Sequence, residues 1–441
     1  MLQYLKKWAS SQPDTKFINK LTFRQAYDLA CSYVRPLASI TDTRVALLAG
    51  NRQESLLVLF ALLLLEKEVL LLNPALTEAE IAEQTRHLNI SVVVRPETIL
   101  TDFSPLLAKD IPKLNWEPAA DKIAVLMNTS ATSGKFKTVP ITWRMISAQV
   151  KASAQVVGVQ ADDNWLCVLP IFHVSGLSIV MRSLYNGTRL TLLSKFSEEQ
   201  VLELVNSEKL TMMSLVPTQL KRLIEPLERH SLRMILLGGE TIPLSLVEKS
   251  AAKNLPIFKT YGMTETFSQS ATFNVLEAPE KIASAGKALP GVKIRIQQPD
   301  QNGIGEISLH SPMLMQGYLD MPPLNGYFMT GDVGWLDADD YLYVLNRRRD
   351  IIISGGENIY PKEIEDLLYR LPEISECAVI PRSDKSWGQI PVLYYAGNLT
   401  ETEIQKYLSD KLAKFKQPKT FVKLAELPKN PSGKILRKDL K

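Results

Sequence analysis

Eight short, unbroken apolar runs constrain this chain more than any other feature. They are VALLAG (45–50), VLLLNP (69–74), SVVVRP (91–96), IAVLMN (123–128), LCVLPIF (166–172), LTLLS (190–194), MMSLVP (212–217) and MILLGG (234–239). A strand wetted on one side alternates apolar with polar residues. A run without alternation reads as a strand covered on both faces, as in parallel sheets flanked by helices. Between the runs lie segments of helical period, such as SEEQVLELVNSEKL, whose Ser197 can cap the first turn. The first two-thirds of the chain is therefore expected to be α/β, in layers of sheet and helix.

The pattern changes near Lys293. KIRIQQPDQNGIGEISLHS alternates around a turn rich in Asn and Gly and reads as a hairpin, and WLDADDYLYVLNRRRD reads as a second. Beyond them come helix PKEIEDLLYRL, strands ECAVIP and VLYYAG, helix TETEIQKYLSDKLAKF and strand TFVKLAEL, a small α+β unit. The expected division is 1–349 and 350–441, with the boundary at Asp350. A chain of 441 residues has room for two or three domains with ample core. The greasiest stretch, SLLVLFALLLLEKEVLLLNPAL, is interrupted by Glu66, Lys67 and Glu68. Its unbroken part falls well short of the ~20 residues of a membrane span, so a buried helix followed by a strand is expected.

The net charge of +4, without a run of five basic residues, excludes the electrostatic footprint of a nucleic-acid binder. Cys31, Cys167 and Cys377 fit no metal spacing, and the latter two lie in apolar runs that read as core. Few cysteines and no secretory signal lead to an expected cytoplasmic, reducing location.

The stretch NTSATSGKFKTVP (128–140) has the hydroxyls and lysines of a phosphate loop but fails the P-loop pattern. Thr129 stands where the first glycine belongs, and Phe136 follows Lys135 where Ser or Thr belongs. Hydroxyls and backbone N–H groups leaving the end of a parallel strand can still wrap a triphosphate, with Lys137 adding a point charge. Four further segments follow in order: LLGGETIP with KTYGMTET, TGDVGWLD with Asp332 in an expected turn, NRRRDIIISGGENIYPKEIE, and PKNPSGKILRKDL. Together they resemble the adenylate-forming superfamily of acyl-CoA synthetases, adenylation domains and luciferases, over nearly the whole chain. The resemblance implies a large N-terminal domain of layered sheets and helices, and a small mobile C-terminal α+β lid hinged at Asp350.

It also implies roles. Thr129, Ser130, Thr132, Ser133, Gly134 and Lys137 match the phosphate loop, with Ala131 for a glycine, Ser133 for a threonine and Phe136 for a proline. Gly238, Gly239 and Glu240 border adenine. Tyr261, followed by Gly262, stacks on it. Thr264 touches phosphate, and Glu265 offers the hard carboxylate oxygen that suits Mg²⁺. Asp332 can accept both ribose hydroxyls, with Arg347 assisting; Asn346 replaces the usual glycine. Lys434 is the catalytic lysine, bridging the acyl carboxylate and the α-phosphate. Gly355 and Gly356 leave room for the pantetheine arm of coenzyme A. The implied reaction has two steps: ATP, Mg²⁺ and an acid give an acyl-adenylate and pyrophosphate, then CoA displaces AMP.

His173 and Arg182, in LPIFHVSGLSIVMRSLYNGTRLTLL, are the acyl-pocket candidates. Here the chain resembles the branch of the superfamily that activates o-succinylbenzoate for menaquinone biosynthesis. A guanidinium inside an apolar stretch can meet the second carboxylate of that acid in a two-pronged fork. Alternatives are a ligase for another aryl or medium-chain acid, and a catalytically dead protein that binds an acyl-adenylate or nucleotide. The set Glu265, Asp332 and Lys434 favours catalysis. The sequence contains no carrier domain, so carrier loading is not expected. Partners are then small molecules, with no nucleic acid and no stable membrane insertion; a homo-oligomer is compatible.

Overall fold

A computed structural model of the chain describes residues 1–99, 114–130, 136–207, 209–228, 230–355, 357–430 and 433–440. All eight apolar runs contribute strands. Six strands run parallel through one nine-stranded sheet, in the order Ile257–Met263, Met234–Leu237, Met212–Leu215, Asn164–Cys167, Arg189–Leu192 and Lys16–Ile18. Ser268–Asn274 extends it antiparallel to Ile257–Met263. A five-stranded sheet carries Val93–Val94, Arg44–Leu48, Glu68–Leu72, Ile123–Ser130 and Phe136–Thr142. Its last strand runs antiparallel at the edge, where Pro140 costs no shared ladder bond.

The greasy stretch forms helix Gln53–Leu64, buried on every side from Ser55 to Leu64, then strand Glu68–Leu72. A helix apolar all round belongs inside a protein, and its side chains join the main core with Phe17, Phe23, Leu47 and Trp165. Cys167 and Cys377 are buried, as expected. Ser197 Oγ accepts from Gln200 N at the start of helix Glu198–Ser207. Among the described residues, no helix is long and apolar enough to cross a membrane.

Both expected hairpins form, in a four-stranded antiparallel sheet. Two local expectations are corrected. Asp332 does not sit in a turn; it lies within strand Phe328–Leu336. Its neighbour Gly334 serves close strand approach, since a Cβ there would stand 2.0 Å from Tyr343 O. Lys137 is likewise on a strand, Phe136–Thr142, and pairs with Thr129. Alternating apolar Val139 and Ile141 face the core and keep the stretch extended.

A second five-stranded sheet uses only residues 352–423, with helices Pro361–Leu368 and Glu401–Ser409 on it and its own core of Ile352, Ile364, Leu393 and Leu408. It touches the earlier chain through polar bonds. Ser245 Oγ donates to Tyr369 O (2.9 Å) and Lys221 Nζ to Ser375 O (2.8 Å). Asn346 Oδ1 accepts from Lys362 N (3.0 Å), so the residue that departs from the family's glycine satisfies an orphan N–H of helix Pro361–Leu368.

Candidate active site

The site residues gather where the parallel strands end. Strand Met234–Leu237 runs into Gly238, whose Cβ would lie 2.9 Å from Thr260 O on the neighbouring strand. Strand Ile257–Met263 carries Tyr261 and Gly262, then turns through the 3-10 segment Thr264–Thr266 into Ser268–Asn274. At Gly262 a Cβ would meet Ser268 O at 1.8 Å, so only glycine permits this reversal. The turn also holds Phe267 at φ 49° and Ser268 at φ 103°. Backbone strain of this kind persists only where surrounding structure enforces it.

Asp332 and Arg347 face each other across paired strands, and Arg347 Nε lies 3.0 Å from Asp332 Oδ1. Tyr261 Oη donates to Asp332 Oδ2 (2.7 Å). Burial first, then the Asp332 charge, pushes the Tyr261 phenol well above its ordinary pKa. It is a neutral donor and a flat apolar surface.

Lys434 reaches this cluster from the end of the chain. Asn430 and Lys434 exchange backbone and side-chain bonds that close a small turn, and Arg437 anchors it by donating to Val379 O (2.7 Å) and to buried Glu365 (2.7 Å). Gly433 packs against Thr218, since a Cβ there would stand 2.8 Å from Thr218 Oγ1. The Lys434 side chain is exposed, yet desolvation and then Arg347 lower its pKa while Glu240 and Asp332 oppose them. It is an ammonium at the open mouth of a crowded cleft. Glu240 lies on the same cleft; burial raises its pKa to about 7, against the pull of Lys434 and the Thr218 N–H. One carboxylate oxygen of Glu240 is buried without a partner among the described residues.

Glu265 follows Tyr261 by four residues. Its Oε1 accepts from Tyr318 Oη (2.7 Å), and Lys137 Nζ lies over the Tyr318 ring, 5.0 Å from its centre. The second oxygen of Glu265 has no hydrogen-bond partner among the described residues. No group of three or more metal-ligating side chains occurs among them either. A single half-buried carboxylate fits a Mg²⁺ carried in by phosphates and water, which does not require a protein cage. Thr264 sits beside it in the same turn. Thr129 Oγ1 donates to Lys137 O (3.1 Å), and Phe136 stacks on His87 at 6.2 Å. Thr132, Ser133, Gly134 and Gly356 lie outside the described residues, and of Ser130 only the strand position is described. Gly355 (φ 60°) packs against exposed Trp387, in the turn between strands Ile374–Asp384 and Gly388–Gly397.

His173 caps, and Arg182 lies within, one helix, Val174–Asn186. His173 is its N-cap, exposed at the surface, but dense surroundings lower its pKa and favour neutral imidazole. Arg182 is 1% exposed. Its Nε donates to Gln149 Oε1 and its Nη2 to Ser268 Oγ, each at 3.2 Å, and the guanidinium lies over Trp165. The Nε–Nη2 edge of the fork expected from the sequence is therefore occupied, which leaves the edge that carries Nη1 for a ligand. Nη1 is buried with no partner among the described residues, and burial lowers the pKa to about 9. Among the described residues no acidic side chain pairs with it. Nine residues separate His173 from Arg182, about half a turn out of phase, so the structure does not bring the two together: His173 is exposed and Arg182 buried. Sequence reasoning missed Tyr318, Gln149 and Ser268, since each acquires meaning only through a distant partner.

Comparison with known proteins bears on this arrangement. A family profile described as AMP-binding enzyme matches residues 5–319, and one described as AMP-binding enzyme C-terminal domain matches 363–434. The 2-succinylbenzoate–CoA ligase of Lactococcus lactis subsp. lactis (strain IL1403) is 52% identical, over 100% of both chains. The o-succinylbenzoate CoA synthetase of Bacillus subtilis in complex with the acyl-adenylate intermediate OSB-AMP superposes with a TM-score of 0.91 at 33% identity, covering 99% of this chain and 97% of that one. The same synthetase in complex with ATP and magnesium ion gives 0.88 at 33% identity, covering 99% and 98%.

Proposed function

The chain belongs to the AMP-binding enzyme family, and from that premise we propose that it is an AMP-forming acid–thiol ligase converting o-succinylbenzoate to o-succinylbenzoyl-CoA. The observation that carries the reading is the meeting of Lys434 with Asp332, Arg347 and Glu240, groups that enter from segments far apart in the chain.

In the first step the acid carboxylate attacks the α-phosphorus of ATP, and pyrophosphate leaves. Tyr261 offers its face to adenine, with Gly238, Gly239, Glu240 and Gly262 shaping the edge. Asp332 and Arg347 take the ribose. Lys137, Thr129, Ser130, Thr132, Ser133 and Gly134 hold the phosphates, with Thr264 beside them. Glu265 would hold Mg²⁺, which neutralises phosphate charge when bound. Lys434 donates to oxygens of the carboxylate and α-phosphate, where charge concentrates. In the second step the CoA thiolate attacks the acyl carbonyl and AMP departs, with Gly355 and Gly356 beside the pantetheine arm. For this step the unit 350–441 turns about Asp350 against 1–349.

No side-chain nucleophile is required, and the cysteines do not supply one. Burial pushes the Cys167 thiol up to about 12 and the Cys31 thiol to about 11, far from thiolate at neutral pH. For the acid itself, the buried Arg182 guanidinium, without an acidic partner among the described residues, supports a substrate with a second carboxylate, and His173 is the other acyl-pocket candidate. We place the activity in the cytoplasm, a reducing compartment consistent with the free thiols of Cys31, Cys167 and Cys377. The test is a panel of acids with ATP and CoA, following AMP and thioester together. Preference for a monocarboxylate over o-succinylbenzoate would refute the substrate, and absence of AMP with every acid would refute the reaction.

A further inference from the structure

Residues 315–319 form a strap between two parts of the nucleotide site that the motifs treat separately. On one side Met315 N donates to Glu265 O (2.8 Å). On the other, Leu319 N donates to Thr138 O (2.9 Å), next to Lys137 on strand Phe136–Thr142. The strap's position is thus held by main-chain bonds at both ends. Tyr318 stands between them, half-buried, with its hydroxyl on Glu265 Oε1 at 2.7 Å and its ring under Lys137 Nζ at 5.0 Å.

We propose that Tyr318 is a positioning residue for the metal-bound nucleotide, linking Glu265 to Lys137 so that carboxylate and ammonium meet the triphosphate in one geometry. The inference rests on the roles given above to Glu265 and Lys137. The physical argument is rotational. A glutamate has three side-chain torsions, and a lone carboxylate in a half-open site samples several of them. A charge-assisted bond on Oε1 selects one orientation and directs Oε2 outward. The aromatic face likewise restrains an exposed lysine through a cation–π contact. Because main-chain bonds at both ends and the buried side chain of Met315 also hold the strap, the Tyr318 hydroxyl can be removed without displacing either partner's backbone.

The experiment measures ATP binding to the full-length protein by equilibrium titration, with and without Mg²⁺, for wild type, Y318F, Y318L and E265Q. Phenylalanine keeps the ring under Lys137 and removes the hydroxyl. Y318F is expected to bind metal-free ATP like wild type but to lose roughly tenfold of the Mg²⁺-dependent gain, the range of one hydrogen bond to a charged group. Y318L is expected to weaken metal-free ATP binding as well, by about two- to threefold, through the lost cation–π contact. Y318F binding Mg²⁺-ATP like wild type, with E265Q impaired, overturns the role of Tyr318 alone. E265Q with an unchanged Mg²⁺ dependence overturns the Glu265 assignment and this inference with it. Equal loss by Y318F with and without Mg²⁺ assigns Tyr318 a merely structural role and also overturns it.

Discussion

Arg182→Met isolates the electrostatic recognition of a second carboxylate. Arg182 Nη2 lies 3.2 Å from Ser268 Oγ, and a serine that accepts from it keeps its own O–H to donate onward. A ligand carboxylate one hydrogen bond beyond, about 2.8 Å, would place opposite charges about 6 Å apart. At an effective dielectric of about 20, that attraction is about 2.8 kcal/mol, or about a hundredfold in binding. The Arg182→Met enzyme should therefore show a KM for o-succinylbenzoate about a hundredfold higher, with the KM for ATP near normal. An analogue lacking the ring carboxylate should change by less than about threefold, because it never felt that charge.

Stability supplies the control. The folded pKa of about 9 lies below the ordinary 12.5. A depressed cation is penalised at every pH below about 9, where both folded and unfolded forms are charged. The penalty is relieved only as pH rises from 9 towards 12.5 and the folded form loses its proton first. Methionine removes that penalty at assay pH, while two lost hydrogen bonds, about 1 kcal/mol each, offset only part of the relief. The Tm should equal or exceed that of wild type, read by thermal denaturation at pH 8. An equal rise in KM for both acids, or an unchanged KM for o-succinylbenzoate, refutes the reasoning.

Lys434→Ala should slow ATP–pyrophosphate exchange roughly 10²–10³-fold, the usual effect of losing one preorganised donor, while thioester formation from supplied acyl-adenylate survives; equal loss in both half-reactions would argue against a role confined to the first. Asp350→Pro should do the reverse, since proline restricts φ to about −65° at the hinge, letting adenylate accumulate while thioester output falls; undiminished steady-state ligation would displace the hinge. Glu240→Gln should alter the pH dependence of stability. With a folded pKa of about 7 against an ordinary 4.5, Glu240 is neutral in both forms below pH 4.5, and its contribution to stability falls as pH rises from 4.5 to 7. The glutamine variant should match wild type in Tm near pH 4.5 and exceed it at pH 8; a constant difference across that range would contradict the burial argument.

Much of the fold was legible in local pattern. Unbroken apolar runs specify strands covered on both faces, because a residue pointing to either side of the strand must enter a core, and all eight runs became strands. The ordered motifs led to the expectation that Tyr261, Glu265, Asp332 and Lys434 share one site, and the structure brings Tyr261 and Lys434 to Asp332. What the tertiary structure alone decided is how these groups pair. Glycines 331 and 334 signal a turn locally, but the approach of Tyr343 O makes Gly334 a strand residue, and Asp332 goes with it. Arg182 has two edges in sequence; contact with Gln149 and Ser268, 33 and 86 residues away, closes one. Tyr318 lies in none of the segments singled out in the sequence, and its role emerges when Glu265, 53 residues earlier, accepts its hydroxyl. Hydrophobic periodicity is a property of neighbours along the chain, readable residue by residue. Hydrogen-bond partners and pKa values depend on which distant groups the packed sheets bring within a few ångströms, and no single segment contains that information.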